Sequence, residues 1–369
     1  MTSELSQTTR QLQRLLPRFR KLRIGVLGDV MLDRYVWGEA TRLSPEAAVP
    51  VVNYVSQRDL PGGAGNVATN LAALGAKVQL FGVIGGTAGA GSSRGKAKLD
   101  AADEAGGSLR ACLKEAGVDH RGILSDAGRV TTLKTRIIAR RHQIVRIDRE
   151  RCDPLSQPAE EKVFRTLVAQ LEHWDALVLS DYDKGLLSDE LTDRVLHAAH
   201  QAKVPVFVKP RSSRRRAYNG ARVVVCNVKE AADYVGHALP DEKSVIEAGR
   251  ALLGHFGGAA AVITRGGQGM DIFQEVPPHH LHIPATSFEV TYARVGRPGI
   301  ERDETGRQVF DVTGAGDTVL SVLALAITGG VNLPAAAQLA SVAAGVVVGK
   351  LGTATVAERE LAAALESHA

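Results

Sequence analysis

The sequence predicts an α/β fold, an open and mostly parallel central sheet covered by helices on both faces, with a small β-lid at one edge. Three observations carry this expectation. Short apolar runs alternate with amphipathic windows of helix length, the rhythm of parallel strand–helix–strand units. Those runs end at or near polar residues (Asp29, Asp181, Lys209, Asn227 and Arg265), and ligands sit beyond the carboxyl ends of strands in such sheets. Two further segments break the rhythm, and one of them alternates polar with apolar residues, as an exposed strand does.

Taken in order, the basic amphipathic start "TRQLQRLLPRFRKL" reads as a surface helix leading into the first strand, since it lacks the apolar core and cleavage site of a targeting segment. "RIGVLGD" (Arg23–Asp29) is that strand. "VPVVNYV" (Val49–Val55) and Val130–Glu150 read as antiparallel lid strands, the latter a hairpin turning near Arg141–His142; the lid is expected around residues 36–60 and 128–150. "VQLFGVI" (Val78–Ile84), "ALVLSD" (Ala176–Asp181), "VPVFVK" (Val204–Lys209), "RVVVCN" (Arg222–Asn227) and "AAVITR" (Ala260–Arg265) continue the sheet. Gln157–Glu172, Ser188–Gln201 and Asp241–His255 have helical periodicity. Gly85–Gly107 reads as a glycine-rich loop with a short helix, and Ser287–Gln308 as a hairpin excursion. No internal repeat stands out, and residues 1–369 read as one domain.

Composition narrows the function classes. Hydrophobic residues make up 44% of the chain and charged residues 23%, as in an ordinary soluble protein. The net charge of +5 suits an anionic substrate, whereas 4% aromatics leave few stacking platforms for nucleic acid, so none is expected as a partner. Three scattered cysteines and the lack of a long uncharged apolar run favour a reduced, cytoplasmic setting without a membrane span.

Several glycine motifs compete. "GAGNVA" (Gly63–Ala68) matches a dinucleotide fingerprint but follows "SQRDLPG", not a core strand. "GAGSSRGKA" (Gly89–Ala97) fails as a phosphate loop, with Ala90 at the first glycine and Ala97 at the Ser/Thr. "GAGD" (Gly314–Asp317) opens an apolar helical run ending at Gly329–Gly330. Its unpaired first amides and the helix dipole make an anion site, which glycine lets a phosphate approach. Spacing alone leaves open whether Asp317 works in that site or merely caps the helix.

"DVTGAGDT", together with the early "PGGAGNVATNLAALGA" (Pro61–Ala76), resembles the PfkB/ribokinase family of sugar kinases. "GDVMLDRYVWGEATRLSPEAAVPVV" (Gly28–Val52), "LSDYDKG" (Leu179–Gly185), "TRGGQGM" (Thr264–Met270) and "AAGVVVGKLGTATV" (Ala343–Val356) resemble its heptose-7-phosphate kinase branch, which phosphorylates O1 of D-glycero-D-manno-heptose 7-phosphate on the route to ADP-heptose. The resemblance covers about residues 20–360. It implies a three-layer α/β/α ribokinase-like fold, ATP and Mg2+ as cofactors, K+ in some relatives, and a homodimer formed through the lid. By motif, it makes Asp317 the general base and Gly314, Ala315 and Gly316 the anion hole. Asp33, Gly62, Gly63 and Asn66 would hold sugar hydroxyls, with Asp181 also on the substrate side. Asn227, Thr264, Gly266, Gly269, Ser341 and Gly345 would line the nucleotide site, Glu230 would act on Mg2+ through water, and Asp311 and Thr313 would sit at a monovalent-cation loop.

Phosphoryl transfer relies on positioning and charge stabilisation, which suits a carboxylate beside a helix N-terminus. A phosphorylated substrate also needs cations. Lys134, Arg136 and Arg140 share one face by strand parity, and Lys184 in "DYDKG" is another candidate; they would grip the substrate phosphate, or else the lid residues form a charged, solvated edge. "RSSRRR" (Arg211–Arg216) reads as a solvated charge run, and His279, His280 and His282 lack an evident acid or Cys partner for a metal. The chain departs from the branch at Lys209-Pro210-Arg211, where Asp-Pro-Lys is usual, and at Ser341, where Asn is frequent. With no H-x-G-H signature, no adenylyltransferase domain is expected. Two rival readings are a family kinase for an unphosphorylated sugar or nucleoside, and a non-catalytic sensor on the same fold.

Overall fold

A computed structural model of the chain describes residues 2–87, 102–139, 142–211, 218–257, 260–275, 279–286, 314–350 and 352–367. Among them, nine strands form the large sheet: β1 (Arg23–Gly28), β4 (Lys77–Gly85), β5 (Asp119–Asp126), β8 (Ala176–Ser180), β9 (Val206–Lys209), β10 (Val223–Asn227), β11 (Ala260–Thr264), β12 (Met270–Gln274) and β13 (His279–Ile283). Their order is β13-β12-β11-β10-β9-β8-β1-β4-β5. From β11 to β5 every pairing is parallel, while β12 and β13 are antiparallel additions.

The central strands are apolar throughout because both sheet faces are covered. Val26, Val178 and Val225 point into one core with Leu320 and Leu323 of α8 (Ala315–Thr328) and Leu339 of α9 (Leu333–Val348). Leu27, Leu177, Leu179 and Val224 point into the other core, with Val195 of α5 (Asp189–Gln201) and Leu252 of α7 (Glu242–His255). Each fully buried Val or Leu contributes about 1.5–3 kcal/mol. α1 (Thr2–Leu15) is the expected amphipathic helix before β1. α2 (Ala64–Ala73) packs on α8, α3 (Glu104–Glu115) is capped by Asp103, and α4 (Gln157–Val168), α6 (Val228–Val235) and α10 (Glu358–Glu366) complete the described helices. No described helix is long and apolar enough to cross a membrane.

The lid is a four-stranded sheet in the order β3-β2-β6-β7, with β2 (Val30–Leu43), β3 (Pro50–Gly63), β6 (Thr132–Ala139) and β7 (His142–Arg149). β2 begins at Val30, well before the expected residue 36, and its pairing with β6 is parallel, not antiparallel. The hairpin β6–β7 forms as expected; its register shift falls on β7, where Ile144 is the extra residue, while β6 keeps an unbroken register with β2 through Ala139. Arg140 and Arg141 lie outside the described residues, as do 88–101 of the first proposed insertion and the whole of the second, 287–308. Gly106 and Gly107 belong to α3, not to a loop.

Candidate active site

The first turn of α8 places Asp317 at the carboxyl edge of the large sheet, buried and facing three donors. Its Oδ2 accepts from Asn66 Nδ2 at 2.8 Å, and its Oδ1 accepts from Tyr182 Oη and Lys209 Nζ, each at 2.6 Å. The cap position is Gly314, and the Asp317 side chain makes no cap, so the capping alternative is not what the structure shows. Gly314 has φ 87, and a Cβ there would lie 2.7 Å from Asn66 Nδ2. Glycine therefore lets α2 bring Asn66 against the carboxylate. No described acceptor bonds the backbone N–H of Ala315 or Gly316, the first-turn amides of the kind that bind anions.

Burial lowers the pKa of Lys209, but the Asp317 carboxylate and Tyr182 raise it by more, and the ammonium form is held. Burial, reinforced by the Asp317 charge, pushes the Tyr182 phenol up, so it acts as a donor. Lys209 comes from the end of β9 and Tyr182 from the loop after β8, two neighbouring parallel strands.

Asp29, at the end of β1, fixes that loop. Its carboxylate accepts from the backbone amides of Tyr182 at 2.8 Å, Lys184 at 3.1 Å and Leu186 at 3.3 Å. Burial raises its pKa, and those amides offset the rise only in part. Asp181 is turned into the protein, where it accepts from Asp183 N at 2.8 Å and Tyr218 Oη at 3.3 Å.

The lid side holds a buried ion pair. Asp33 on β2 accepts from Arg136 on β6 at 2.6 Å, with Arg136 stacked 5.1 Å from the Tyr35 ring centroid. Burial raises the Asp33 pKa despite that guanidinium. A Cβ on Gly62 would fall 2.4 Å from Asp33 Oδ2, and Gly63, with φ 58, starts α2 beside it. Lys134, opposite Asp33 in register, reaches Asp148 and Glu150 at 3.1 Å each, and Lys184 reaches Glu150 at 2.9 Å. For Glu150, burial is outweighed by the two lysines, and its pKa is lowered.

The sequence of the matched region decides the family: the profile of the pfkB family carbohydrate kinases matches residues 101–360. The chain belongs to that family. It is a sugar kinase. It is 42% identical over 340 residues to the bifunctional protein HldE of Geobacter sulfurreducens, covering 92% of this chain and 62% of that protein. It is 41% identical over 356 residues to the HldE of Caulobacter vibrioides, covering 95% and 65%. The kinase thus spans somewhat less than two thirds of the length of these relatives. Its fold is that of Arabidopsis thaliana ribokinase complexed with ribose and ATP (TM-score 0.67, 17% identity, 94% of this chain and 99% of that one) and of Escherichia coli phosphofructokinase-2 in complex with substrates and products (TM-score 0.68, 17% identity, 94% and 99%).

On the other flank of the kinase, Asn227 caps α6. Its Oδ1 accepts from Glu230 N at 2.8 Å, while Glu230 Oε2 accepts from Asn227 N at 2.9 Å. The N-x-x-E motif is therefore also a capping box. Burial raises the Glu230 pKa, and its Oε1 lies 3.8 Å from Arg211. Thr264 donates to Cys226 O at 3.4 Å at the end of β11, followed by Gly266 and Gly269 in a tight turn. Ser341 on α9 donates to Pro284 O at 2.8 Å, and Gly345 is one turn further along that helix. Asp311 and Thr313 lie outside the described residues.

The structure thus joins Asp317, Gly314–Gly316 and Asn66 in one cluster, pairs Asp33 with Arg136 and Lys134 with Lys184 through Glu150, and sets Asp181 apart as a loop anchor. Sequence reasoning missed Tyr182, Lys209 and Glu150 as participants. It also missed an acid among the histidines: Asp271 accepts from Arg265 and lies 2.8 Å from His280 and 3.3 Å from His282. Among the described residues no cluster of three or more His, Cys, Asp or Glu side chains is arranged to hold a metal.

Proposed function

We propose that this kinase transfers the γ-phosphoryl group of ATP to O1 of D-glycero-D-manno-heptose 7-phosphate. The observation that carries the reading is the pair of half-buried lysines, Lys134 and Lys184, converging on one carboxylate beside the lid's Asp33–Arg136 pair. Their side chains are 16% and 18% exposed, so a solvated edge does not account for them. Two ammonium groups on a carboxylate form a site that a phosphate fits at least as well. The HldE relatives and the branch motifs support the same acceptor.

In this reading the sugar lies under the lid with its hydroxyls on Asp33, the Gly62–Gly63 backbone and Asn66. ATP lies across Asn227, Thr264, Gly266, Gly269, Ser341 and Gly345, its terminal phosphate at the amides of Gly314–Gly316. Asp317 takes the proton of the anomeric hydroxyl, which is more acidic than an ordinary alcohol. Glu230 offers a single carboxylate, which fits Mg2+ held mainly by phosphates and water. When bound, Mg2+ would supply charge neutralisation for the phosphates, with Glu230 the residue that would hold it through water.

A second reading, an unphosphorylated sugar as acceptor, is favoured by the neutralisation of both lysines by Glu150. Turnover on heptose 7-phosphate and on free sugars separates the two. For the phosphosugar reading, Glu150→Gln removes the acid from Lys184 and one of the two acids on Lys134, and lowers KM for the phosphosugar about threefold or more, leaving KM for free sugars unchanged. A phosphosugar KM that does not fall rejects the Lys134–Lys184 phosphate site.

The lid also supports the proposed homodimer. The large apolar side chains most exposed among the described residues lie on the lid strands or their flanks, among them Leu43 at 67%, Val55 at 61% and Ile147 at 57%. Such a patch marks an interface. Ile147→Lys is expected to shift the protein from dimer to monomer in size-exclusion chromatography with light scattering. An unchanged elution, or a monomeric wild type, rejects the lid interface.

A further inference from the structure

We propose that Lys209 is a catalytic cation of this kinase, which holds Asp317 in place and donates to the phosphoryl group in transfer. The proposal rests on the reading of Asp317 as the base.

Lys209 stands at the end of β9, facing the entrance of α8. Its Nζ lies 2.6 Å from Asp317 Oδ1 and 3.0 Å from Tyr182 Oη, and 3.5 Å from where a Cβ on Gly316 would sit. The ammonium therefore adjoins both the carboxylate and the open amides of the anion hole. Two of its three N–H bonds are used in these contacts, and no third acceptor bonds it among the described residues. Its side chain is 17% exposed while Asp317 is 4% exposed, so the tip is screened from bulk water without being sealed off.

A buried ion pair is a poor device for stability, since apolar residues of similar volume do as well or better. Position 209 is moreover where the resembled branch carries an aspartate. A carboxylate there would repel Asp317 at this distance, and lysine inverts the local charge. In the reaction the acceptor O–H proton passes to the Asp317 carboxylate as the acceptor oxygen bonds to the γ-phosphorus. The bond from phosphorus to the β-bridging oxygen breaks, and its electron pair leaves with the nucleoside diphosphate. Protonation removes the counter-charge of Lys209 as negative charge gathers on the transferring oxygens beside it. The cation follows that charge without a large movement, the arrangement that stabilises a phosphoryl-transfer transition state.

The test compares Lys209→Met and Lys209→Arg with the wild type on the sugar panel, with nucleotide affinity and melting temperature measured alongside. The Met variant is expected to lose about 100-fold in kcat. Its sugar KM should stay within about threefold, and Arg should recover at least about tenfold over Met. Lys209→Ala assayed with ethylammonium gives a second readout, an expected saturable gain in kcat. A Met variant whose kcat is unchanged or higher overturns the proposal, the higher value marking Lys209 as a clamp on the base. An Ala variant that binds nucleotide yet gains nothing from the amine overturns it as well. If Asp317→Asn retains activity, the base assignment itself fails and the proposal with it; if Asp317→Asn is inactive and Lys209→Met is not, Lys209 alone is excluded.

Discussion

Asp317→Asn is expected to lower kcat on the order of 1000-fold while nucleotide binding survives. Asparagine keeps the shape of the side chain but cannot take the acceptor proton. It also cannot satisfy its surroundings, because three donors converge on the present carboxylate and an amide offers only one oxygen. Either Asn66 or the Lys209–Tyr182 side must then face an N–H2 group. Removing one partner of a buried pair costs about 3–5 kcal/mol at most, less where the survivor can shed its charge. Lys209 can do so: without the carboxylate, burial is left to lower its pKa. The sign of the pH dependence follows. In the wild type the raised Lys209 pKa contributes stability that is complete below the unfolded-state value and is lost as pH rises through the folded one. In the variant the folded state binds that proton less tightly than the unfolded chain, so the melting-temperature deficit shrinks between about pH 7 and pH 10. Stopped turnover with intact nucleotide affinity, and a deficit that narrows with pH, are the expected readings. Near-normal turnover removes Asp317 from the chemistry.

Asp33→Ala is the second large effect. It takes a proposed sugar ligand from the lid and removes the carboxylate 2.6 Å from the Arg136 guanidinium, whose side chain is 9% exposed. Breaking a buried ion pair in this way costs about 3–5 kcal/mol. The sugar KM should rise about tenfold or more with a smaller change in kcat. Arg136→Met should destabilise by less, because the raised pKa of Asp33 makes its neutral form accessible. The double variant should be more stable than Asp33→Ala alone, a coupling that thermal melting in a double-mutant cycle measures. Acid pH provides a milder version of the same test. Asp33 favours the folded state below its ordinary pKa and loses that contribution as pH rises through its raised folded value, but sugar binding needs the ionised form. The sugar KM should therefore climb on acidification before the ordinary aspartate range is reached. Additive single-variant losses and a flat KM would separate Asp33 from both roles.

The parts of this molecule written in local patterns were legible. Apolar runs bounded by polar residues located β1, β4, β8, β9, β10 and β11, and the glycines before an apolar helix located Asp317. β2 was harder, because its burial grades from closed at Val30 to open at Leu43, and neither period holds along its length. β5 reads "DHRGILSD", too polar to stand out. Contacts made by topology were not legible either. Tyr182 and Lys209 meet Asp317 across 135 and 108 residues, brought together only because β8 and β9 are neighbours under α8. Lys209 was visible as a polar residue at a strand end and as a departure from the expected aspartate, without any sign of what it faces. Lys134 was read by strand parity and Lys184 from its loop motif as phosphate-gripping cations, and their acids Asp148 and Glu150 lie on the next strand and just beyond it. Asn227 and Glu230 show the opposite hazard, where one motif serves both as a helix cap and as a proposed metal contact.

The most direct measurement is a crystal structure of the kinase with a non-hydrolysable ATP analogue, Mg2+ and heptose 7-phosphate. The acceptor oxygen should lie about 3 Å from an Asp317 oxygen and in line with the γ-phosphorus, with the terminal phosphate on the Gly314–Gly316 amides. An acceptor oxygen held against another side chain, or a terminal phosphate bound away from the start of α8, would contradict the account.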